Sequence, residues 1–494
     1  MADKYETVIG LEVHSQLLTL SKMFCPCGSD YQDSEPNTRV CPVCMGMPGV
    51  LPVVNKKAVD LVIKTGLALE CEISPETKFD RKNYPYPDLM KGYQISQFDI
   101  PIALNGKLSI KTPETGEKHI RINRVHLEED VAKLVHRKEP YGEAYSLLDI
   151  NRAGVPLMEI VSEPDMNSPE EANEYLTNLH SIIRFVGTST ANMEEGSFRC
   201  DANISVRPLG SKELGSKVEI KNVNSFRSVF RALKYEETRQ RKLLTEGQNI
   251  EQETRGWSDD RGTTVSQRTK EYAADYRYFP EPDLPPILIS HEWVNKIQSE
   301  IPELPAKKKE RYIGIFGLSD YDASVMIGDK ESTLLFENTL LYLSESMDLK
   351  DAAKATANWV NVDLNRMKNE LKSSWPEIKI DPRELAKLII LVDDGKISNS
   401  MAKTVFDEMF VNGGDPITIS EDKGLSQIND ASSIQNVVTE TLIENQSAVD
   451  DYLNGKDSAV RYLVGQVMKK TKGQANPQVA SEMVASALIK QKNQ

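Results

Sequence analysis

Short stretches of alternating apolar and polar residues, punctuated by Pro and Gly, run from the N-terminus to about residue 290 and predict a sheet-based region. In the segment Val8 to Leu17, Leu11 and Val13 point one way, and Glu12, His14 and Gln16 point the other, because successive side chains of a strand alternate across the sheet. The pattern returns between Phe198 and Val206, where Phe198, Cys200, Ala202, Ile204 and Val206 form one face and Arg199, Asp201, Asn203 and Ser205 the other. Val218–Lys221 sets Glu219 beside Lys221, Leu157–Asp165 sets Glu159 and Glu163 on one face, and Arg124–Asp130 carries the acids Glu128, Glu129 and Asp130 in succession. Apolar residues recurring at three and four predict helices over Lys56–Leu69 and Glu170–Phe185. The second follows Ser168-Pro169, an N-cap with Pro at the first helical position. A sheet with scattered helices is an α+β fold.

The Pro-rich run Phe279–Pro286 predicts a break, and from Glu292 onward the pattern is amphipathic helix with almost no strand signal. Val411-Asn412-Gly413-Gly414-Asp415-Pro416 is turn chemistry and marks a second boundary. The expected organisation is a sheet-based domain over 1–291, a helical domain over 292–410 and a small helical domain over 411–494.

A chain of 494 residues is too long for one hydrophobic core, and 39% hydrophobic with 27% charged residues is ordinary soluble composition. There is no apolar run of about 18 residues that would span a membrane. The N-terminal Met1-Ala2-Asp3-Lys4-Tyr5-Glu6 lacks the features of a signal or transit peptide, which makes the cytoplasm the expected compartment. The net charge of -14 argues against generic binding to nucleic acid. It leaves room for a local basic patch, and Arg461, Lys469, Lys470, Lys472, Lys490 and Lys492, opposed by Glu482 alone, form one in sequence near the C-terminus.

Cys25-Pro-Cys27 and Cys41-Pro-Val-Cys44 are two close pairs separated by a polar loop. In a reducing compartment this reads as a structural zinc site, in preference to free thiols or a redox pair. Cys71 and Cys200 lie in apolar contexts and read as buried small hydrophobes.

One wet face of an antiparallel sheet accounts for the alternation but not for the choice of Asp, Glu, Asn and His in it. If several of those carboxylates converge, two unit charges ~4 Å apart repel by about 4 kcal/mol at an effective dielectric of ~20, so a proton or a divalent cation must intervene. Gly210–Lys217 has the wrong order for a phosphate-binding P-loop and reads as a hairpin loop. Asp80-Arg81-Lys82-Asn83-Tyr84-Pro85-Tyr86-Pro87-Asp88 sets bases beside rigid aromatic-Pro elements, as either an anion-binding or a surface loop.

Taken together, Ile9–His14, Asp80–Tyr84, Gln94–Gln97, His126–Asp130, Glu159–Asp165, Met193–Ser197, Arg199–Asn203 and Asp275–Asp283 resemble the B subunit family of bacterial tRNA-dependent amidotransferases. The resemblance continues to Lys472–Pro477 and so covers nearly the whole chain. It implies a cradle domain holding a kinase and transamidase site, then a helical domain and a tail. It also implies ATP and Mg2+ as cofactors, phosphorylation of the side-chain carboxylate of Glu-tRNA(Gln) or Asp-tRNA(Asn), and amidation by ammonia from an amidase A subunit, with a small C subunit completing a heterotrimer.

Carried over residue by residue, the resemblance assigns the magnesium site to Glu12, His14, Glu129, Glu159 and Asp201, with Glu12, His14, Glu129 and Lys82 catalytic and Lys82 and Arg81 on the nucleotide phosphates. It assigns Zn2+ to Cys25, Cys27, Cys41 and Cys44, and tRNA contact in the tail to Lys469, Lys470 and Lys472. Magnesium prefers oxygen ligands, so His14 is expected at the margin of the metal or as a proton acceptor. Two other readings compete: the related archaeal subunit, whose synthetase-like insertion has no room here after Asp283, and a non-catalytic zinc-bearing RNA-binding protein.

Overall fold

The computed structural model describes residues 4–138, 142, 144–269, 275–425, 431–453, 456, 458–471, 474–475 and 477–492. The chain divides into two compact units, Met1–Pro305 and Ala306–Gln494.

The first unit is built on a twelve-stranded sheet. At its centre the strands Phe198–Pro208, Tyr5–Gln16, Pro156–Ser162 and Gly116–Glu129 lie side by side, each antiparallel to the next. Their apolar positions, among them Leu11, Val13, Cys200, Ala202, Met158, Ile160, Val125 and Leu127, are buried in one core with the helices Lys56–Ala68, Pro169–Val186 and Phe226–Thr245. Each fully buried aliphatic side chain contributes about 1.5–3 kcal/mol, so this face fixes the register: a slip of one residue would drive Glu12 and His14 into the core. The helix Pro169–Val186 begins where its sequence predicts, with Ser168 Oγ accepting the Glu171 N–H at 3.1 Å, and it ends at Gly187, whose φ of 76° is the left-handed cap glycine permits.

Two sequence expectations change. Asp80–Asn83 is a strand, paired with Tyr93–Ser96 on one side and with Phe279–Pro280 on the other. The start of the Pro-rich run, Phe279–Pro280, is therefore the strand at the end of the sheet, where a residue without an N–H is tolerated. The first unit also continues beyond 291. In the helix His291–Ser299, Ile297 is buried in the first core, and Trp293 packs at its edge while donating its indole N–H to Asp60 at 2.7 Å.

The second unit is helical in its described residues, and its buried apolar side chains form two separate clusters, one spanning Tyr312 to Phe410 and one spanning Ile434 to Leu488. The whole is α+β, a sheet-based N-terminal region followed by all-α segments. Among the described residues, no helix is long and apolar enough to cross a membrane.

Candidate active site

The face of the sheet opposite the helices carries the polar residues. Register sets His14 between Glu159 and Arg199, Glu159 opposite His126, and Glu12 between Asp201 and Val161. His14 Nε2 stands 3.5 Å from Glu128 Oε1 and 3.6 Å from Glu159 Oε2, and His126 Nε2 stands 3.2 Å from the same Glu159 oxygen. One donor atom each from His14, Glu128 and Glu159 falls within 4.8 Å of the others, close enough to share one cation.

Electrostatics follow from that crowding. Burial lowers the His14 pKa, but the hydrogen bond to Glu159 and the charges of Glu159 and Glu128 outweigh burial and the opposing Arg199, raising it to about 9. Burial works against the Glu159 carboxylate, yet His126 and His14 together hold it well below the usual range. Lys82 approaches the same acids with its Nζ 5.0 Å over the Tyr276 ring. Burial disfavours its charge, but Glu128, then Tyr278, Glu159 and Tyr276, raise its pKa.

Glu12 and Asp201 face each other one strand pair away. Asn203 donates to Glu12 at 2.8 Å, and Lys221 Nζ lies 3.0 Å from Asp201. They adjoin the His14 cluster without being drawn into it.

Two expected site residues lie elsewhere. Glu129 falls on the parity of Leu127 and Val125, so its carboxylate turns away from His14, accepts the Ile95 N–H at 2.9 Å and pairs with Lys91. The carboxylate that reaches His14 is Glu128. Arg81, next to Lys82 on a strand, projects to the opposite side: its Nε and Nη2 each donate to one oxygen of Glu281 at 2.7 Å, and its guanidinium lies 4.4 Å from the Tyr93 ring centre. It ties the last strand to the sheet and does not face the acids. The resemblance assigns no site role to His126 and Arg199, although both lie in its motifs. Arg199 pairs with Asp130 at 3.0 Å, which holds the guanidinium beside the cluster.

Cys25, Cys27, Cys41 and Cys44 converge, their Sγ atoms all within 4.8 Å of one another. Cys41 and Cys44 Sγ are 3.9 Å apart, close to the ~3.8 Å edge of a tetrahedron with 2.3 Å zinc–sulfur bonds. The hydrogen bond between Cys25 and Cys44 pulls the Cys44 thiol down against burial and, together with burial, pushes the Cys25 thiol up. Four thiols crowded in this way fit a soft cation. Cys71 and Cys200 are buried, as their sequence context predicts. Lys469 and Lys470 end the helix Ser458–Lys470, where Lys470 pairs with Glu444 at 2.7 Å and Glu440 at 3.6 Å; Lys472 lies outside the described residues.

The chain that carries this sheet matches a known class over most of its length. A family model described as the GatB/GatE catalytic domain matches residues 7–295, and one described as the GatB domain matches 341–488. The chain belongs to this family and is an enzyme of the amidotransferase class, a carbon–nitrogen ligase. It is 54% identical over 488 residues, 98% of this chain and 99% of the relative, to the B subunit of the aspartyl/glutamyl-tRNA(Asn/Gln) amidotransferase of Dehalococcoides mccartyi (strain CBDB1). A protein of the same name from Thermoanaerobacter pseudethanolicus is 50% identical over 487 residues, 99% of this chain and 100% of the relative.

Proposed function

We propose that this chain is the kinase and transamidase subunit of a tRNA-dependent amidotransferase. It phosphorylates the side-chain carboxylate of Glu-tRNA(Gln) and/or Asp-tRNA(Asn) with ATP, then lets ammonia displace phosphate to leave Gln-tRNA(Gln) or Asn-tRNA(Asn). A carboxylate does not accept ammonia directly, because oxide is a poor leaving group, whereas an acyl phosphate releases phosphate. The observation that carries this reading is the convergence of His14, Glu128 and Glu159 with Lys82 approaching from the neighbouring strands.

Magnesium, when bound, supplies charge neutralisation for the transferring phosphoryl group, and Glu128 and Glu159 are the oxygen ligands to hold it, with Glu12 and Asp201 beside them. Lys82 holds a fixed positive charge where phosphate oxygens accumulate negative charge. With Glu159 between them, His14 and His126 hold that carboxylate ionised and oriented. His14, beside the two carboxylates that would hold the cation, would as a free base accept a proton of the attacking ammonia.

The division of labour follows the architecture: the chemistry lies in the sheet-based unit that ends at Pro305, a helical domain follows on the Tyr312–Phe410 cluster and the tRNA-contacting tail on the Ile434–Leu488 cluster. Of Lys469 and Lys470, the two expected contacts among the described residues, Lys469 is the one left for phosphate, because Lys470 is engaged by two glutamates. The ammonia comes from an amidase A subunit, a small C subunit completes the heterotrimer, zinc occupies the four cysteines, and the compartment is the cytoplasm. The test is ATP hydrolysis by the assembled complex. It is expected to require misacylated tRNA and magnesium together and to fall by about 100-fold in Glu128→Gln. Undiminished hydrolysis in that variant would reject the site.

A further inference from the structure

Lys22 is 1% exposed, and its ammonium meets no carboxylate at ion-pair distance among the described residues. Its Nζ donates to two backbone carbonyls, Arg39 at 2.8 Å and Ile150 at 3.5 Å. A buried ammonium satisfied only by neutral carbonyls is strongly unfavourable unless negative charge lies close by.

The nearest source is the cysteine cluster. The Lys22 backbone N–H donates to the Cys27 carbonyl at 2.9 Å, in the first Cys pair. Its Nζ reaches the Arg39 carbonyl, two residues before Cys41, in the second. The side chain runs past Gly154, where a built β-carbon would stand 3.6 Å from Lys22 Cδ and 3.7 Å from Cys44 Cβ. One residue thus crosslinks both halves of the knot and carries a full positive charge into it. A divalent cation held by four thiolates carries a net charge of minus two, which no other buried cation at this knot offsets among the described residues.

We propose that Lys22 is the counter-charge and tether of the four-cysteine metal centre, a positioning residue that lets all four sulfurs bind as thiolates. This rests on the zinc reading of the cysteines. Lys22 stabilises the loaded centre against loss of metal and against protonation of its thiolates, and the loaded centre in turn makes burial of Lys22 favourable. Each stabilises the other.

The experiment compares the full-length chain with its Lys22→Gln and Lys22→Met variants. Gln keeps a donor for the carbonyls and removes the charge; Met removes both. Zinc release to a colorimetric chelator is expected to be ~10-fold or more faster in both variants, in the range for groups that support metal ligands. In Co(II)-substituted protein, the thiolate-to-cobalt charge-transfer band is expected to need a higher pH to develop. A native chain without metal would overturn the zinc reading and the role of Lys22 with it. A zinc-loaded native chain whose Lys22→Gln variant releases metal at the native rate would overturn the counter-charge alone. Should the variants fail to fold, amine labelling of the native chain decides: Lys22 is expected to stay unlabelled with zinc bound and to become labelled after chelation. Equal labelling in both states would overturn the proposal.

Discussion

His14 and Glu159 face each other across the seam between the first strand and its Pro156–Ser162 neighbour, Nε2 to Oε2 at 3.6 Å. Glu128, on the Gly116–Glu129 strand beyond that neighbour, reaches the same nitrogen at 3.5 Å. One imidazole therefore sits against two carboxylates. A proton on His14 and a cation among the three side chains are alternative answers to the same repulsion.

In metal-free protein the proton wins. A pKa raised from 6.5 to about 9 means that the folded state binds this proton more tightly than the unfolded chain. The resulting stability, about 3 kcal/mol at most, is fully present below pH ~6.5 and lost as pH rises through ~9. Denaturant titrations in magnesium-free buffer should show native stability declining across that window. His14→Gln should flatten the decline, and an unchanged slope would show that His14 does not carry the proton.

Magnesium must then compete with that proton. Apparent magnesium affinity should rise with pH between ~7 and ~9, approaching tenfold per unit, with protons released on binding. Calorimetric titrations in buffers of different ionisation enthalpy would count those protons. A pH-independent affinity would move the metal to Glu12 and Asp201, which lie on the same face away from His14.

Much of this site is legible in alternation alone. The strand segments around His14, Glu159 and Asp201 form with the expected faces, because their apolar halves are core and allow no slip. The misplaced residues share one cause. Among the successive acids Glu128, Glu129 and Asp130, family resemblance favours Glu129, yet counting by two from His126 selects Glu128, and the structure follows the parity. Arg81 and Lys82 depart in the same way: the resemblance gives consecutive residues one function, and a strand sends them to opposite sides. What no local pattern contains is strand order. Only the sheet brings His126 and Arg199 to His14 from distant sequence.

The Glu128 and Glu129 assignments separate cleanly by mutation. Glu128→Gln should weaken magnesium binding by about 100-fold, while Glu129→Gln should leave it within a few-fold, since that carboxylate is spent on Lys91 and the Ile95 N–H. Metal titrations of both variants give the answer, and equal losses would refute the parity assignment. Glu129→Gln should still be destabilised, because it leaves the Lys91 ammonium without its partner.

The cysteine knot makes a stoichiometric prediction. Metal analysis of protein purified under reducing conditions should find about one zinc per chain, and Cys44→Ser should lose it. Loss of zinc should also lower the melting temperature, because the polar loop between the Cys pairs has few apolar residues to hold it. A metal-free, fully stable chain would mean that the thiols serve another purpose.

Arg81 and Lys82 should fail in different ways although they are neighbours. Arg81 forks onto Glu281, whose side chain is wholly buried, and this pair closes the last strand onto Asp80–Asn83. Arg81→Ala leaves that carboxylate buried and unpaired and should destabilise the chain by about 3 kcal/mol. Arg81→Lys should recover only part, because an ammonium cannot make the two parallel hydrogen bonds of the fork. Lys82 instead faces Glu128 and Glu159 over the Tyr276 ring. Lys82→Met should change stability by less than about 1 kcal/mol while reducing tRNA-dependent ATP hydrolysis by about 100-fold, the loss expected when a preorganised charge is removed from a transferring group. Melting curves and hydrolysis rates on the same preparations would distinguish the two. A stable Arg81→Ala variant with lost hydrolysis would return Arg81 to the phosphates, where the family resemblance puts it.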